Sequence, residues 1–259
     1  MHTLSNVQSN SIANRFIANA TCLFLTCAFF LTTPAFANST KKQSIEVNFS
    51  TLTDQHHYYQ FSGQLIDKKA NESKEVFVVW SIAGETNWTE TAAIRSNKSS
   101  KEIKWNFNVN IPSKADVDQN GVIYMVLVKQ GDQSTWITNQ GSYYLVGGKT
   151  AIVQLGVQNV LLQKAEINAF NKLSGTVVAK NVGFGATVSL QVKTNLSKAV
   201  KIVKAKRTGS VAYSNGTLQE YSFDFDLNEG VETVQLVVVY KVNNKTYKDP
   251  ESGANHIIK

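Results

Sequence analysis

A shift of 112 residues lays the first half of this 259-residue chain onto its second half, and that self-similarity constrains the fold more than any other feature. Gly63 falls on Gly175. Val76, Val78 and Trp80 fall on Val188, Leu190 and Val192. Val122, Tyr124, Val126 and Val128 fall on Val234, Leu236, Val238 and Tyr240, and Gly141 falls on Gly253. In between, Trp105–Ile111 matches Tyr221–Leu227 at a shift of 116, which an insertion of four and a later deletion of four explain. The matches include alternate, inward-facing positions, so the repeated object is a hydrophobic core.

The repeated segments read as strands. In Trp105–Ile111, Trp105, Phe107, Val109 and Ile111 share one side and Asn106, Asn108 and Asn110 the other, the pattern of a half-buried strand. Val76–Trp80 and Val122–Val128 are β-branched or aromatic runs. Turn signals at Gln119-Asn120-Gly121, Gln130-Gly131-Asp132 and Ser214-Asn215-Gly216 separate such runs, and no long helical period is evident. Seven or eight short strands per half, at this spacing, point to an all-β chain of two tandem antiparallel β-sandwiches. The expected domains are 43–147 and 150–259, joined at Gly147-Gly148-Lys149-Thr150.

Before them stands a different kind of segment. Arg15 precedes an apolar run, Phe16–Leu31, which is followed by Pro34 and the frame Ala35-Phe36-Ala37. That order describes a secretory signal peptide over 1–37, cleaved after Ala37, and a secreted or periplasmic protein. The run is short for a bilayer span. Both cysteines, Cys22 and Cys27, lie inside this segment, so disulfides, thiolate metal sites and a cysteine nucleophile are not expected in the rest.

Charge is distributed unevenly. Residues 41–148 carry 11 basic and 11 acidic side chains, and residues 149–259 carry 14 and 8. The basic surplus therefore belongs to the second half, where Lys198, Lys201, Lys204, Lys206 and Arg207 form a ribbon. It reads as a lysine-protected edge strand or as a surface for an anionic partner.

No nucleophile–base pattern, zinc-ligand spacing or phosphate loop is present, so the chain reads as a non-enzyme without cofactors. Asp224 and Asp226 alternate on an exposed strand face, whereas glycoside hydrolysis needs two carboxylates across one cleft. His56 and His57 are adjacent and would point to opposite faces of a strand, an arrangement that chelates a metal poorly. No nucleic-acid partner is expected.

Leu173-Ser174-Gly175-Thr176-Val177-Val178-Ala179-Lys180-Asn181-Val182-Gly183-Phe184 and the terminal Asp249-Pro250-Glu251-Ser252-Gly253-Ala254-Asn255-His256 resemble two motifs of carbohydrate-binding module family 21. The first half resembles it more weakly, through Phe61–Leu65 and Trp136–Tyr144. The resemblance implies immunoglobulin-like β-sandwiches that bind α-1,4-glucans and perform no chemistry. It places one binding site at Trp88 and Trp136 with Asn139 in the adjoining loop, and another at Phe184 with Asn181. In the second half the first site's aromatics are replaced, by Lys198 or Val200 and by Lys248. At the second site the first half has Glu72 for the aromatic and keeps Lys74 where the second half has Ala186. The Asp of the terminal motif is Asp249 in the second half and Ile137 in the first.

The residues themselves bear on this. Trp80 and Trp105 share parity with core positions. Trp88 and Trp136 sit at strand ends, outside clean alternation. Flat aromatic faces stack on the C–H patches of pyranose rings, and neighbouring amides can bind hydroxyls. Met125, with Ile123 and Leu127, makes a second apolar face on its strand: a central strand covered on both sides, a contact between domains, or a floor beside the tryptophans. The expected function is therefore non-catalytic binding of an α-glucan of the starch or glycogen type. The alternative is a structural or interaction protein with a degenerate sugar site, whose basic second half contacts an anionic surface or a protein partner.

Overall fold

The computed structural model describes residues 44–69, 73–98, 102–250 and 255–259. The expected signal segment 1–37 lies outside them, as do Glu72 and the Glu251–Ala254 part of the terminal motif. Ser39–Lys259 forms one compact unit.

The first half holds β1 (Ile45–Asp54), β2 (Tyr59–Asp67), β3 (Lys74–Ile82), β4 (Thr89–Ala92), β5 (Ile94–Lys98), β6 (Ile103–Ile111), a short helix α1 (Lys114–Asn120), β7 (Val122–Gln130), β8 (Gln133–Ile137) and β9 (Tyr144–Val146). The second holds β10 (Val153–Leu155), β11 (Val160–Ile167), β12 (Lys172–Lys180), β13 (Thr187–Thr194), β14 (Ser197–Lys204), β15 (Lys206–Tyr213), β16 (Gly216–Asp226), β17 (Val234–Val242), β18 (Lys245–Asp249) and β19 (His256–Ile258). The three strands expected from alternation lie within β3, β6 and β7. The turn signal at Gln119-Asn120-Gly121 instead closes α1, with Gly121 at φ 80°.

All pairings are antiparallel, and the two halves use the same strand order. Sheet β1-β2-β6-β5 corresponds to β11-β12-β16-β15, and β4-β3-β7-β8 to β14-β13-β17-β18, with β9 on β7 and β19 on β17. One strand crosses the expected joint: Val153–Leu155 pair with β1.

Each half is a sandwich because the inward residues of its two sheets meet. In the first, Phe61 packs on Phe107 and Tyr124, with centroids 5.0 and 5.2 Å away, and Tyr124 stacks on Tyr144 at 4.9 Å. Trp105 is buried in this core, and Trp80 is half-buried against it. The second core gathers Leu173, Val177, Leu190, Phe223, Leu236 and Tyr240. The repeated glycines are placed by these rings. A Cβ on Gly63 would stand 2.6 Å from the Phe107 ring, and one on Gly175 would stand 2.6 Å from Phe223. A third apolar cluster ties the halves together: Val153 and Leu155 with Leu161, Val178 and Leu218. Beside it the buried Asn48 amide donates to Gln158 at 3.1 Å.

Candidate functional site

Register decides which side chains share a surface, because directly opposed residues in antiparallel strands project to the same side. In the first half, Val76, Val78, Tyr124 and Val126 face the core, so their neighbours face outward. Phe77 opposes Ala92 and Leu127, and Leu127 opposes Trp136. Val79 opposes Met125, and Ser81 opposes Ile123. Thr89 pairs with Trp80 on the core side, so Trp88, one residue earlier, turns outward.

Trp88 and Trp136 therefore project from the same face of one sheet, with Phe77, Val79, Met125 and Leu127 on the strands between them; Lys129 lies over the Phe77 ring, 4.2 Å from its centroid, and pairs with Glu90 at 2.9 Å across that face. Both indoles are half-buried. The segment before β4 is held by Ser81 Oγ, which donates to the Asn87 carbonyl at 2.7 Å. Tyr143, 44% exposed, brings its ring to 5.1 Å from that of Trp88, tilted by 43°. Met125 lies on the outward side of β7, opposite Val79.

Asn139 lies elsewhere. It opens a tight turn in which Gln140 and Gly141 have φ of 53° and 87° and Asn139 N–H donates to the Ser142 carbonyl at 2.8 Å. It lines a cleft of about 390 Å³ with Glu46, Thr138, Tyr144, Gly156 and Asn215, which no indole enters.

In the second half, Phe184 stands 97% exposed in the loop between β12 and β13. It lines a cleft of about 460 Å³ with Lys241, Asn243, Asn244, Lys245 and Thr246. Asn243 and Asn244 form a two-residue hairpin turn with φ of 50° and 59°, which asparagine tolerates well. Asn243 donates to the Val182 carbonyl at 3.0 Å and packs so closely on Gly183 that a Cβ there would sit 2.1 Å from its amide. The hairpin thereby fixes the loop that presents Phe184. Asn181 is exposed, and its side-chain oxygen accepts from Gln219 at 2.8 Å.

Some positions singled out by the resemblance have structural partners. Lys74 is buried, donating to Asp67 at 2.8 Å and to Ser44 at 3.0 Å. Asp249 is buried and accepts from the Leu162 N–H, at the β11 bulge, at 2.6 Å; His256 Nε2 stands 3.1 Å away. The choice between Lys198 and Val200 also resolves. Lys201 opposes Val192 as Thr89 opposes Trp80, so Val200 is the counterpart of Trp88.

Tyr143, Asn243 and Asn244 are the functional candidates that the sequence leaves unmarked. Tyr143 precedes a strand and becomes a partner of Trp88 only when β9 docks. Asn243-Asn244 between two apolar runs carries a hairpin signal, but its approach to Phe184 is a tertiary fact.

The described residues thus define antiparallel β-sandwiches with solvent-facing aromatic surfaces and, among those residues, no group of acidic, histidine or cysteine side chains able to hold a metal. Residues 154–259 match the model of a carbohydrate/starch-binding module, family 21. Among solved structures, the chain is similar to the starch-binding domain of Rhizopus oryzae glucoamylase, determined with β-cyclodextrin and maltoheptaose. The identity is 19%, the TM-score 0.33, and the match covers 39% of this chain and 93% of that one. It is also similar to the carbohydrate-binding module of the muscle glycogen-targeting subunit of Protein Phosphatase-1, at 17% identity and TM-score 0.32, covering 39% of this chain and 75% of that one. No curated protein matches.

Proposed function

We propose that this protein is exported and binds a polysaccharide without cleaving it, with an α-glucan of the starch or glycogen type as the ligand. The observation that carries this reading is the outer face of β4-β3-β7-β8, where Trp88 and Tyr143 meet and Trp136 projects to the same side. Rings held at strand ends offer flat faces at little entropic cost on binding, which suits stacking on successive pyranose rings. The family match over 154–259 supports a second site in the other half, at Phe184. There Asn243, Asn244 and Thr246 would supply hydrogen bonds to hydroxyls beside the exposed ring. The common strand order supports treating both halves as copies of one module. Asn139 and Asn181 take lesser parts: Asn139 lines a separate cleft, and Asn181 orients the loop of Phe184 through Gln219.

Such sites are shallow, and two on one chain raise avidity by linkage rather than by tighter contact. Titration with maltoheptaose, followed by calorimetry and by tryptophan fluorescence, tests the reading. Heat and a fluorescence change that both disappear on replacing Trp88, Trp136, Tyr143 and Phe184 by alanine are expected. A wild-type protein that neither responds to maltoheptaose nor sediments with insoluble starch would end the proposal.

A further inference from the structure

The face of the second half that corresponds to the aromatic surface has a different chemistry. On β13, Val188, Leu190 and Val192 point into the core, so Ser189, Gln191 and Lys193 point out. Ser189 opposes Lys204 and Val239, and Val239 opposes Lys248. Gln191 opposes Ile202, Lys241 opposes Thr246, and Gln235 opposes Ile257. Alternation along β14 sends Val200 to the side of Ile202 and Lys204, while Lys198 falls in the register shift between β13 and β14. Val200 thus stands where the first half has Trp88, and Lys248 where it has Trp136.

Lys193, Lys204, Lys241 and Lys248 therefore share one side of one sheet. Among the described residues none of them forms an ion pair. The strands β13, β14, β17, β18 and β19 contain a single carboxylate, Asp249, which is buried. Glu229 and Glu232 belong to the loop that leads into β17, where Asn195 Oδ1 accepts from the Glu232 N–H at 3.2 Å. Between the lysines stand aliphatic side chains in water: Val200 at 55% exposure, Ile202 at 58% and Ile257 at 61%.

We infer that this face docks on an anionic lipid surface. Both kinds of side chain are satisfied by that partner. Phosphate headgroups neutralise the ammonium groups, and the boundary between headgroups and acyl chains removes the three aliphatic tips from water. An uncharged glucan has no use for four lysines. A soluble polyanion would meet the lysines and leave Val200, Ile202 and Ile257 wet. The geometry is that of a broad surface rather than a groove: Lys204 and Lys248 are three strand spacings apart, about 14 Å. The inference does not rest on glucan binding, although Lys241 also borders the Phe184 cleft.

Cosedimentation of the chain from Asn38 to Lys259 with vesicles tests it. Equimolar phosphatidylglycerol and phosphatidylcholine should retain the protein at low salt and release it as salt rises, while phosphatidylcholine alone should not retain it. Replacing Lys193, Lys204, Lys241 and Lys248 by glutamine should weaken binding by about 100-fold or more. Val200→Ser with Ile202→Ser should weaken it by about 10-fold, with the melting temperature and the response to maltoheptaose unchanged. Equal binding to neutral vesicles, or retention of the four-lysine variant, would overturn the assignment. So would vesicle binding indifferent to the Val200/Ile202 change; equal affinity for dextran sulfate would then give the face to a soluble polyanion.

Discussion

The indole of Trp88 and the ring of Tyr143 meet with centroids 5.1 Å apart, although one precedes β4 and the other β9, strands on opposite sides of the β3–β7 pair. The contact joins the two edges of the outer face into one surface. Tyr143→Ala should thus weaken maltoheptaose binding as Trp88→Ala does, each by about 10-fold, the scale of one lost aromatic contact of about 1.5 kcal/mol. The double variant should lose less than the product of the two, because the rings support one another. Calorimetric titration of the single and double variants measures this directly.

Phe184 contributes almost nothing to the fold, being 97% exposed. Phe184→Ala is expected to leave stability within about 0.5 kcal/mol of the parent and to remove the second-half site alone. Calorimetry should then show the number of bound oligosaccharides falling while the first-half tryptophan signal persists. Loss of that signal as well would contradict two separate sites.

The Lys74–Asp67 pair is a test of architecture. Both side chains are buried, with the ammonium 2.8 Å from the carboxylate. Lys74→Met strands Asp67 and should cost about 3–5 kcal/mol. Replacing both residues by alanine should cost less than the single change, since the second half has Ala186 and Ala179 at the matching positions. Urea unfolding of the three proteins gives the comparison.

Gly63 and Gly175 have no room for a side chain. A Cβ would fall 2.5 Å from the Phe49 carbonyl oxygen at the first and 2.2 Å from the Lys164 carbonyl oxygen at the second. Each glycine-to-alanine change should destabilise by about 1–3 kcal/mol through backbone displacement, Gly175→Ala the more. Thermal melts would show it.

Buried phenols set an alkaline limit. Desolvation raises the Tyr144 hydroxyl to about 12 and is also the leading cause of the rise of Tyr240 to about 12. Burial pushes Tyr124 up as well, against a hydrogen bond shared with Ser50 that works the other way. The neutral form is the one the fold favours. The stabilisation is therefore fully present below the unfolded phenol value of about 10 and is lost as pH rises from there through about 12. Unfolding monitored against pH should show stability flat near neutrality and declining across that window, together with cooperative rather than gradual phenolate absorbance.

Alternation and the repeat were enough to point to strands and two cores, while the turn signal Gln119-Asn120-Gly121 closes a short helix instead. Both are local or translational properties: a period of two marks which residues must leave water, and a repeated set of such residues implies a repeated interior. Trp105 and Trp80 could be assigned to the core on parity alone. Local pattern carries no information about which strands become neighbours. That is why Asn139, three residues from Trp136, lies in a different cleft, and why Asp249 holds a backbone amide of β11 87 positions away in sequence. It is also why Val200 and not Lys198 replaces Trp88. The union of Trp88 with Tyr143, the fixing of the Phe184 loop by Asn243 and the gathering of four lysines on one face all depend on register across strands. Register is set by long-range pairing, so the tertiary structure alone decided which of these side chains share a surface.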